Sequence, residues 1–229
     1  MSSENPGAWQ LGHIDGIPRQ ARSSPAGDTT LEVVVAGADT SKVVIGLLDR
    51  VPTHGWRLGR DARVPRGRST RQEVWVAPAD SDTWWILTAT HVDGVRHILI
   101  DPETRTPLPS REDRRSGLAL DWVSDAVELT ESETARHEFE FDLRNTSAND
   151  WGNLANDTGS ITIVPSAEPR FYVDVGDDRP LPALPSGGLT TINARLNEPL
   201  SAGTYELGAV LVDLNLATST TAGLTVTAD

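Results

Sequence analysis

From Leu118 onward the chain is a procession of short alternating segments: LALDWVSDAVEL, HEFEFDLRN, SITIVP, RFYVDV, TTINARLN, TYELGAVLVDL and GLTVTAD. Turn-forming residues punctuate every gap between them. Alternation with period two places successive side chains on opposite faces of a strand, so each segment presents one apolar face that must be covered. About seven such strands in some 110 residues predict an antiparallel sandwich. The whole chain therefore reads as all-β, and its 19 glycines and 15 prolines agree with many short strands joined by turns.

The first half carries a repetition. WQLGHIDGIPR begins at Trp9 and WRLGRDARVPR at Trp56, sharing Trp, Leu, Gly, a β-branched residue, Pro and Arg at the same internal spacing. Each phrase is followed by a pair of apolar segments. These are TLEVVVAGAD (Thr30–Asp39) with KVVIGLLD (Lys42–Asp49), and QEVWVAPAD (Gln72–Asp80) with TWWILTATH (Thr83–His91). Placing Glu32 on Glu73 superposes Val33 on Val74, Val35 on Val76, Ala38 on Ala79 and Asp39 on Asp80. The expectation is a duplicated hairpin unit of nearly 50 residues, with Trp9 or Trp56 capping the core and Gly12 or Gly59 permitting a turn. A fainter third copy runs from Leu184–Asn197 into Thr204–Asp213.

These segments predict two tandem antiparallel β-sandwich domains with an extended N-terminal arm. Residues 1–29, polar and interrupted by Pro6, Pro18 and Pro25, are the expected arm. Residues 30–112 form the domain built on the duplicated hairpin, and residues 118–229 the second sandwich. The join falls in the charged run Ser110–Gly117.

With 20 Lys and Arg against 33 Asp and Glu the net charge is −13, and its distribution is uneven. Residues 1–115 hold 15 basic and 15 acidic side chains, whereas residues 116–229 hold 5 and 18. A neutral half joined to an acidic half implies that one meets a partner while the other faces water. Lysine occurs once, a bias that fits a high-GC or a salt-loving host. There is no cysteine, which removes disulfides, thiolate metal sites and thiol nucleophiles. No basic start followed by an apolar stretch opens the chain, and no apolar run reaches the length of a membrane span, so a virion or cytoplasmic location without membrane insertion is expected.

The second half resembles immunoglobulin-like sandwich modules of prokaryotic and viral surface and virion-accessory proteins. Leu184-Pro185-Ser186-Gly187 matches the Pro-x-Gly turn that precedes one strand of such modules, and Leu200-Ser201-Ala202-Gly203-Thr204-Tyr205 the Gly-x-Tyr step that starts the penultimate one. The resemblance covers residues 118–229 and extends only loosely to 30–102, where Asp82-Thr83-Trp84 replaces the Gly-x-Tyr step. It implies a fold, with the Tyr packing at the sandwich corner, and does not by itself imply a function.

The densest chemical signal is RLGRDARVPRGRSTR, which places Arg57, Arg60, Arg63, Arg66, Arg68 and Arg71 in fifteen residues. Guanidinium groups suit protein interfaces through their planar fork and weak hydration. A nucleic-acid site would interleave aromatics for stacking, and none lies between Trp56 and Trp75. The six arginines are therefore assigned to docking on a protein partner, with a solvated loop of local Asp and Glu pairing as the plain alternative. His91 and His97 flank a Val-Asp-Gly turn and could face each other across a hairpin, but no histidine pair has metal-ligand spacing. Asp174, Asp177 and Asp178, with Asn149, Asp150, Asn156 and Asp157, offer oxygen atoms for a loop Ca²⁺ site without the ordered ligand loop; turn formation explains them as well. Asn145-Thr146-Ser147 and Asn156-Asp157-Thr158 match the glycosylation acceptor pattern. No Gly-x-Ser-x-Gly, phosphate-loop or dinucleotide motif occurs, so no catalytic residue, metal ligand or cofactor is assigned.

The sequence thus points to a non-enzymatic structural protein. In this reading the neutral N-terminal part docks on a larger assembly, as a virion decoration, turret or tail-accessory component, and the acidic domain projects. Protein partners, homo-oligomers included, are expected. The alternative is a soluble protein- or carbohydrate-binding module such as an intracellular proteinase inhibitor.

Overall fold

The computed structural model describes residues 7–19, 21, 29–62, 69–165, 172–173, 179–196 and 198–229. The fold is all-β, built from largely antiparallel sheets, and the chain divides into two compact units, one ending at Asp113 and the other beginning at Arg114.

The first unit centres on a four-stranded sheet, β3 (Arg57–Ala62), β4 (Ser69–Pro78), β5 (Trp84–Val92) and β6 (Val95–Ile100), in sequential antiparallel order. β5 and β6 are joined by Asp93-Gly94, both at positive φ (49° and 82°), as a tight two-residue hairpin loop demands. All six residues from Trp84 to Ala89 are buried, because both faces of this sheet are covered. Val74, Val76, Trp84 and Ile86 point one way, towards Leu11, Ile14 and Ile17. Ala77, Trp85, Leu87, Ala89, Ile98 and Ile100 point the other way, towards Leu31, Val34, Leu47, Val51 and Trp56.

The first cover is a hairpin, β1 (Ala8–Leu11) and β2 (Ile14–Pro18), which forms a small second sheet with β7 (Leu108–Pro109). The stretch expected to be an extended arm thus supplies core residues between Ala8 and Pro18: Leu11, Ile14 and Ile17 are each at most 5% exposed. The second cover is the segment from Thr29 to Trp56, and here the duplicated-hairpin expectation fails. TLEVVVAGAD does not form a strand; Leu31–Val35 is a short helix, α1, followed by turns. The reason lies at its ends. The hydroxyl of Thr30 accepts a hydrogen bond from Val33 N at 3.3 Å, capping the helix, and Gly37 takes a positive φ of 66° just past its end. At the equivalent positions of the second copy stand Arg71, which offers no such cap, and Pro78, which cannot take positive φ, and that copy is strand β4. What the two copies do share is a turn: Asp39 Oδ1 accepts from Ser41 N at 2.9 Å, and Asp80 Oδ1 from Asp82 N at 2.8 Å.

The repeated Trp phrases also diverge. The first is the β1–β2 hairpin, with Gly12 in its turn at φ 55°. The second runs into β3, where Gly59 sits in a bulge between the Leu58 and Arg60 pairings. A β-carbon on Gly59 would lie 3.2 Å from Ile17 Cγ2, so glycine here lets the hairpin close onto the sheet. Trp56 is fully buried, its indole N–H donating to the Pro52 carbonyl at 2.7 Å, whereas Trp9 is half-buried.

In the second unit β8 (Leu118–Trp122), β10 (Phe139–Asn145) and β13 (Leu189–Ala194) form one sheet, in the order β8-β10-β13. The other contains β9 (Ala126–Thr130), β11 (Ile161–Pro165), β12 (Tyr172–Val173), β14 (Gly203–Leu211) and β16 (Ala222–Thr227), in the order β9-β16-β14-β11-β12, with β15 (Leu216–Ala217) against β14. A four-residue helix, α2 (Arg111–Arg114), spans the division between units, and another, α3 (Glu131–Thr134), follows β9. The segment LALDWVSDAVEL is thus two strands in two sheets, β8 antiparallel to β10 and β9 parallel to β16. β13 and β14 likewise belong to different sheets, so the third copy of the repeat is no hairpin. Inward residues such as Leu120, Phe141 and Leu143 from one sheet and Ile161, Ile163, Leu207, Leu211 and Leu224 from the other close a single apolar core.

Two buried polar anchors hold the loops of this unit. Asn145 is fully buried; its amide donates to the carbonyls of Asn149, Leu184 and Pro185 at 2.8, 3.1 and 3.1 Å, and its oxygen accepts from Ser147 N and Oγ at 3.0 and 2.7 Å. Arg114 forms a bidentate pair with Asp157 at 3.0 and 2.9 Å, both side chains buried, while its carbonyl accepts from Trp151 Nε1 at 2.6 Å.

Two substitutions test this account by urea denaturation of the full chain. Ile17→Ala is expected to cost about 2–5 kcal/mol, the range for truncating a packed core aliphatic, where a dangling arm would give near zero. Asn145→Ala is expected to cost at least about 3 kcal/mol, because it strands several buried backbone groups at once.

Candidate functional site

The arginines assigned to a partner divide into two groups. Arg63, Arg66 and Arg68 lie outside the described residues. Arg57, Arg60 and Arg71 are each engaged within their own unit. The bulge at Gly59 puts Arg57 and Arg60 on the hairpin side of the sheet, where Arg57 donates to the Ala21 carbonyl at 3.2 Å and Arg60 to the Asp15 carbonyl at 3.1 Å. Arg71 grips Asp61 through two hydrogen bonds, at 2.8 and 2.6 Å, and its guanidinium lies 3.3 Å from Glu73.

Glu73 is the centre of a polar cluster that sequence reasoning did not single out. On β4 it shares a sheet face with Trp75, His91 and Arg96, because its neighbours in register are Asp61 and Ala89, and Arg71 lies opposite His91. Arg96 Nη2 donates to Glu73 Oε2 at 2.9 Å and Trp75 Nε1 to the same oxygen at 3.2 Å. His91 Nε2 and Arg71 Nη2 stand 3.4 and 3.3 Å from Oε1. The other arm of Arg96 donates to the Val34 carbonyl at the end of α1, so the cluster ties the sheet to its helical cover. Burial pushes the Glu73 carboxyl up, but the hydrogen bonds from Arg96 and Trp75 and the charges of Arg96 and Arg71 outweigh it and hold the group below its ordinary value. Such a carboxylate is an electrostatic anchor with both oxygens committed.

His97 does not face His91. The register places His91 opposite Arg96 and His97 opposite Thr90, and His97 Nδ1 instead lies 2.9 Å from Asp39 Oδ2. Hydrogen bonds from Ser41 and then His97 hold the Asp39 carboxyl below its usual range against partial burial. Asp39 also docks its backbone beside β6, with Asp39 N donating to the Arg96 carbonyl and Ile98 N to the Asp39 carbonyl at 2.7 and 2.9 Å. That contact covers the edge of β6.

Of the oxygen-bearing loop residues, Asp174, Asp177 and Asp178 lie outside the described residues. Asp157 is the buried partner of Arg114, and Asp150 accepts from Ser186 N at 3.0 Å. Among the described residues no group of three or more His, Asp or Glu side chains converges as metal ligands would. Asn145 is buried in the folded chain and so closed to glycosylation, whereas Asn156 is exposed at a positive φ of 55°.

A concave feature of mixed aromatic and acidic lining lies in the second unit. Where the chain leaves β8 after Trp122 and crosses to β9, it opens a cleft of about 340 Å³ lined by Trp122, Val127, Glu128, His137, Phe139 and Glu140 among others. The Trp122 ring is fixed by Phe141 (centroids 4.4 Å apart) and edge-on by Phe139 (6.0 Å), while its N–H donates to the Thr220 carbonyl at 3.2 Å. Its sequence signal was the Trp at the break in LALDWVSDAVEL, legible only once that segment is known to be two strands. No model of a known protein family matches the chain, and no curated protein matches it.

The pH dependence of stability tests the Glu73 cluster. A carboxyl held below its ordinary value stabilises the fold above the unfolded-state value of 4.5 and loses that contribution as pH falls through the lowered folded-state value. Glu73→Gln is accordingly expected to destabilise the chain by roughly 2–3 kcal/mol near neutrality. The gap from the parent, read as urea midpoints, should narrow as the pH is taken below 4.5.

Proposed function

We propose that this protein is non-enzymatic and works by association, as an accessory component of a larger assembly such as a virion decoration, turret or tail protein. The near-neutral first half is its docking part and the acidic second half its solvent-facing part. The second unit is read as an immunoglobulin-like sandwich. Supporting this are its two facing sheets, β8-β10-β13 and β9-β16-β14-β11-β12, and the way the first strand segment changes sheets to run parallel to the last. The hydroxyl of Tyr205, at the start of β14, donates to the Ser201 carbonyl at 2.8 Å, as in the tyrosine corner of such sandwiches.

The observation that carries the functional reading is the separation of chemistry across the second unit. Inward strand positions hold the apolar core and the buried amide of Asn145, while Glu128, Glu140 and Glu206 stand exposed on the strands. From Arg114 onward the chain has 18 acidic and 7 basic residues, so this surface is a strong anionic field on a firm scaffold. A second reading, a soluble binding module, is favoured by the cleft beside Trp122. Density-gradient sedimentation of particles from the source organism separates the two. The assembly reading expects the chain in the particle fraction and a protease-accessible second unit there; a chain found only as free monomer at the top of the gradient overturns it in favour of the binding module.

A further inference from the structure

The cleft beside Trp122 exists because two strands part company. β8 pairs with β10 only as far as Trp122 opposite Phe141, with one last bond from Val123 N to the Glu140 carbonyl at 3.0 Å. The chain then crosses to the other sheet. β10 continues past that point towards Phe139 without its neighbour, and β9 has β16 as its only strand partner among the described residues. The space between them is bounded on one side by the outer edge of β9, whose backbone groups there are open to a further strand.

Its chemistry is specific. The wall is aromatic, with Trp122 fixed as described and the His137 ring edge-on to Phe139 at 4.7 Å. The rim is anionic: Glu128, Glu138 and Glu140 line it and all are exposed. Glu138 is paired with Arg195, whereas Glu128 and Glu140 have no ion-pair partner among the described residues. A preset indole face attracts a cation through its quadrupole, and flanking carboxylates add direct attraction. A hard divalent ion would want converging oxygens, not an aromatic wall. An organic cation on an aliphatic stem fits both parts, since its methylenes lie against the rings and its charge meets the carboxylates. A cleft of about 340 Å³ is of the size that small ligand groups occupy.

We propose that this cleft receives an arginine or lysine side chain from an extended basic segment of a partner protein, the segment pairing along the free edge of β9. Strand addition supplies the backbone bonds and the cleft supplies selection for the side chain. The proposal rests on the reading that the protein works by association and gives that reading a partner chemistry.

The test uses the full-length chain labelled with ¹⁵N at its seven tryptophan indoles, with the Trp122 signal assigned by its loss in Trp122→Phe. The probe is a blocked peptide of alternating Arg and Val, compared with the same peptide carrying citrulline in place of arginine and with free arginine amide. The Trp122 signal is expected to shift saturably with the arginine peptide. Binding should weaken about ten-fold with citrulline, in Glu128→Gln/Glu140→Gln and for arginine amide alone. An unmoved Trp122 signal at saturating peptide, or equal binding of the citrulline peptide, overturns the proposal. Arginine amide binding as tightly as the peptide overturns the assignment to a protein segment, making this a small-molecule site. A negative titration leaves the sedimentation result standing, and absence from particles leaves a positive titration standing.

Discussion

A sheet with apolar side chains on both faces needs two covers, and the first unit is organised around that requirement. β5 carries Trp84 and Ile86 on one face and Trp85, Leu87 and Ala89 on the other, so no single layer can remove both sets from water. With no cysteine anywhere in the chain, packing has to provide both layers. The N-terminal hairpin and the segment from Thr29 to Trp56 are those layers, and each is fastened by polar contacts at its margin. Arg57 and Arg60 reach carbonyls of the N-terminal segment, and Arg96, steadied by Glu73, reaches the end of α1. The described members of the arginine-rich stretch thus do internal work, and for Arg71, bonded to Asp61, it is the local acidic pairing that the sequence offered as the alternative to docking.

The second unit solves the simpler problem of two sheets facing one core, and its polar anchors are placed where strands give way to loops. Asn145 and the Arg114–Asp157 pair bury hydrogen-bonding groups that a merely apolar loop would leave unsatisfied. The Asx residues read as candidate cation ligands include one, Asp157, whose charge is balanced by an arginine from the start of the unit. The switch of the first strand from one sheet to the other has two consequences: it sets up the parallel β9–β16 pair, and it leaves the aromatic and acidic cleft behind it.

The candidate site was legible only in fragments. Trp122, Glu128 and Glu140 sit in segments that alternate as strands should, so each reads as ordinary strand composition. The alternation of Leu118, Leu120 and Trp122 loses its phase at Val123-Ser124-Asp125 and resumes at Val127 and Leu129, a break passed over when the segment is read as one strand. Glu73 was hidden for another reason. Its partners Arg96 and His91 come from two other strands, and only the register of the sheet brings them within reach.

The sequence by itself determined the all-β character, the turns at Asp93-Gly94, Asp39 and Asp80, and the uneven charge, because these follow from local sterics, period-two alternation and composition. It also held the capping signals that separate TLEVVVAGAD from QEVWVAPAD, although the likeness of the two segments masked them. Tertiary structure decided which strands share a sheet, that the N-terminal segment contributes core rather than an arm, and where the cleft opens. Those outcomes depend on which apolar face meets which, a choice between non-local partners of similar composition that no single stretch of chain encodes.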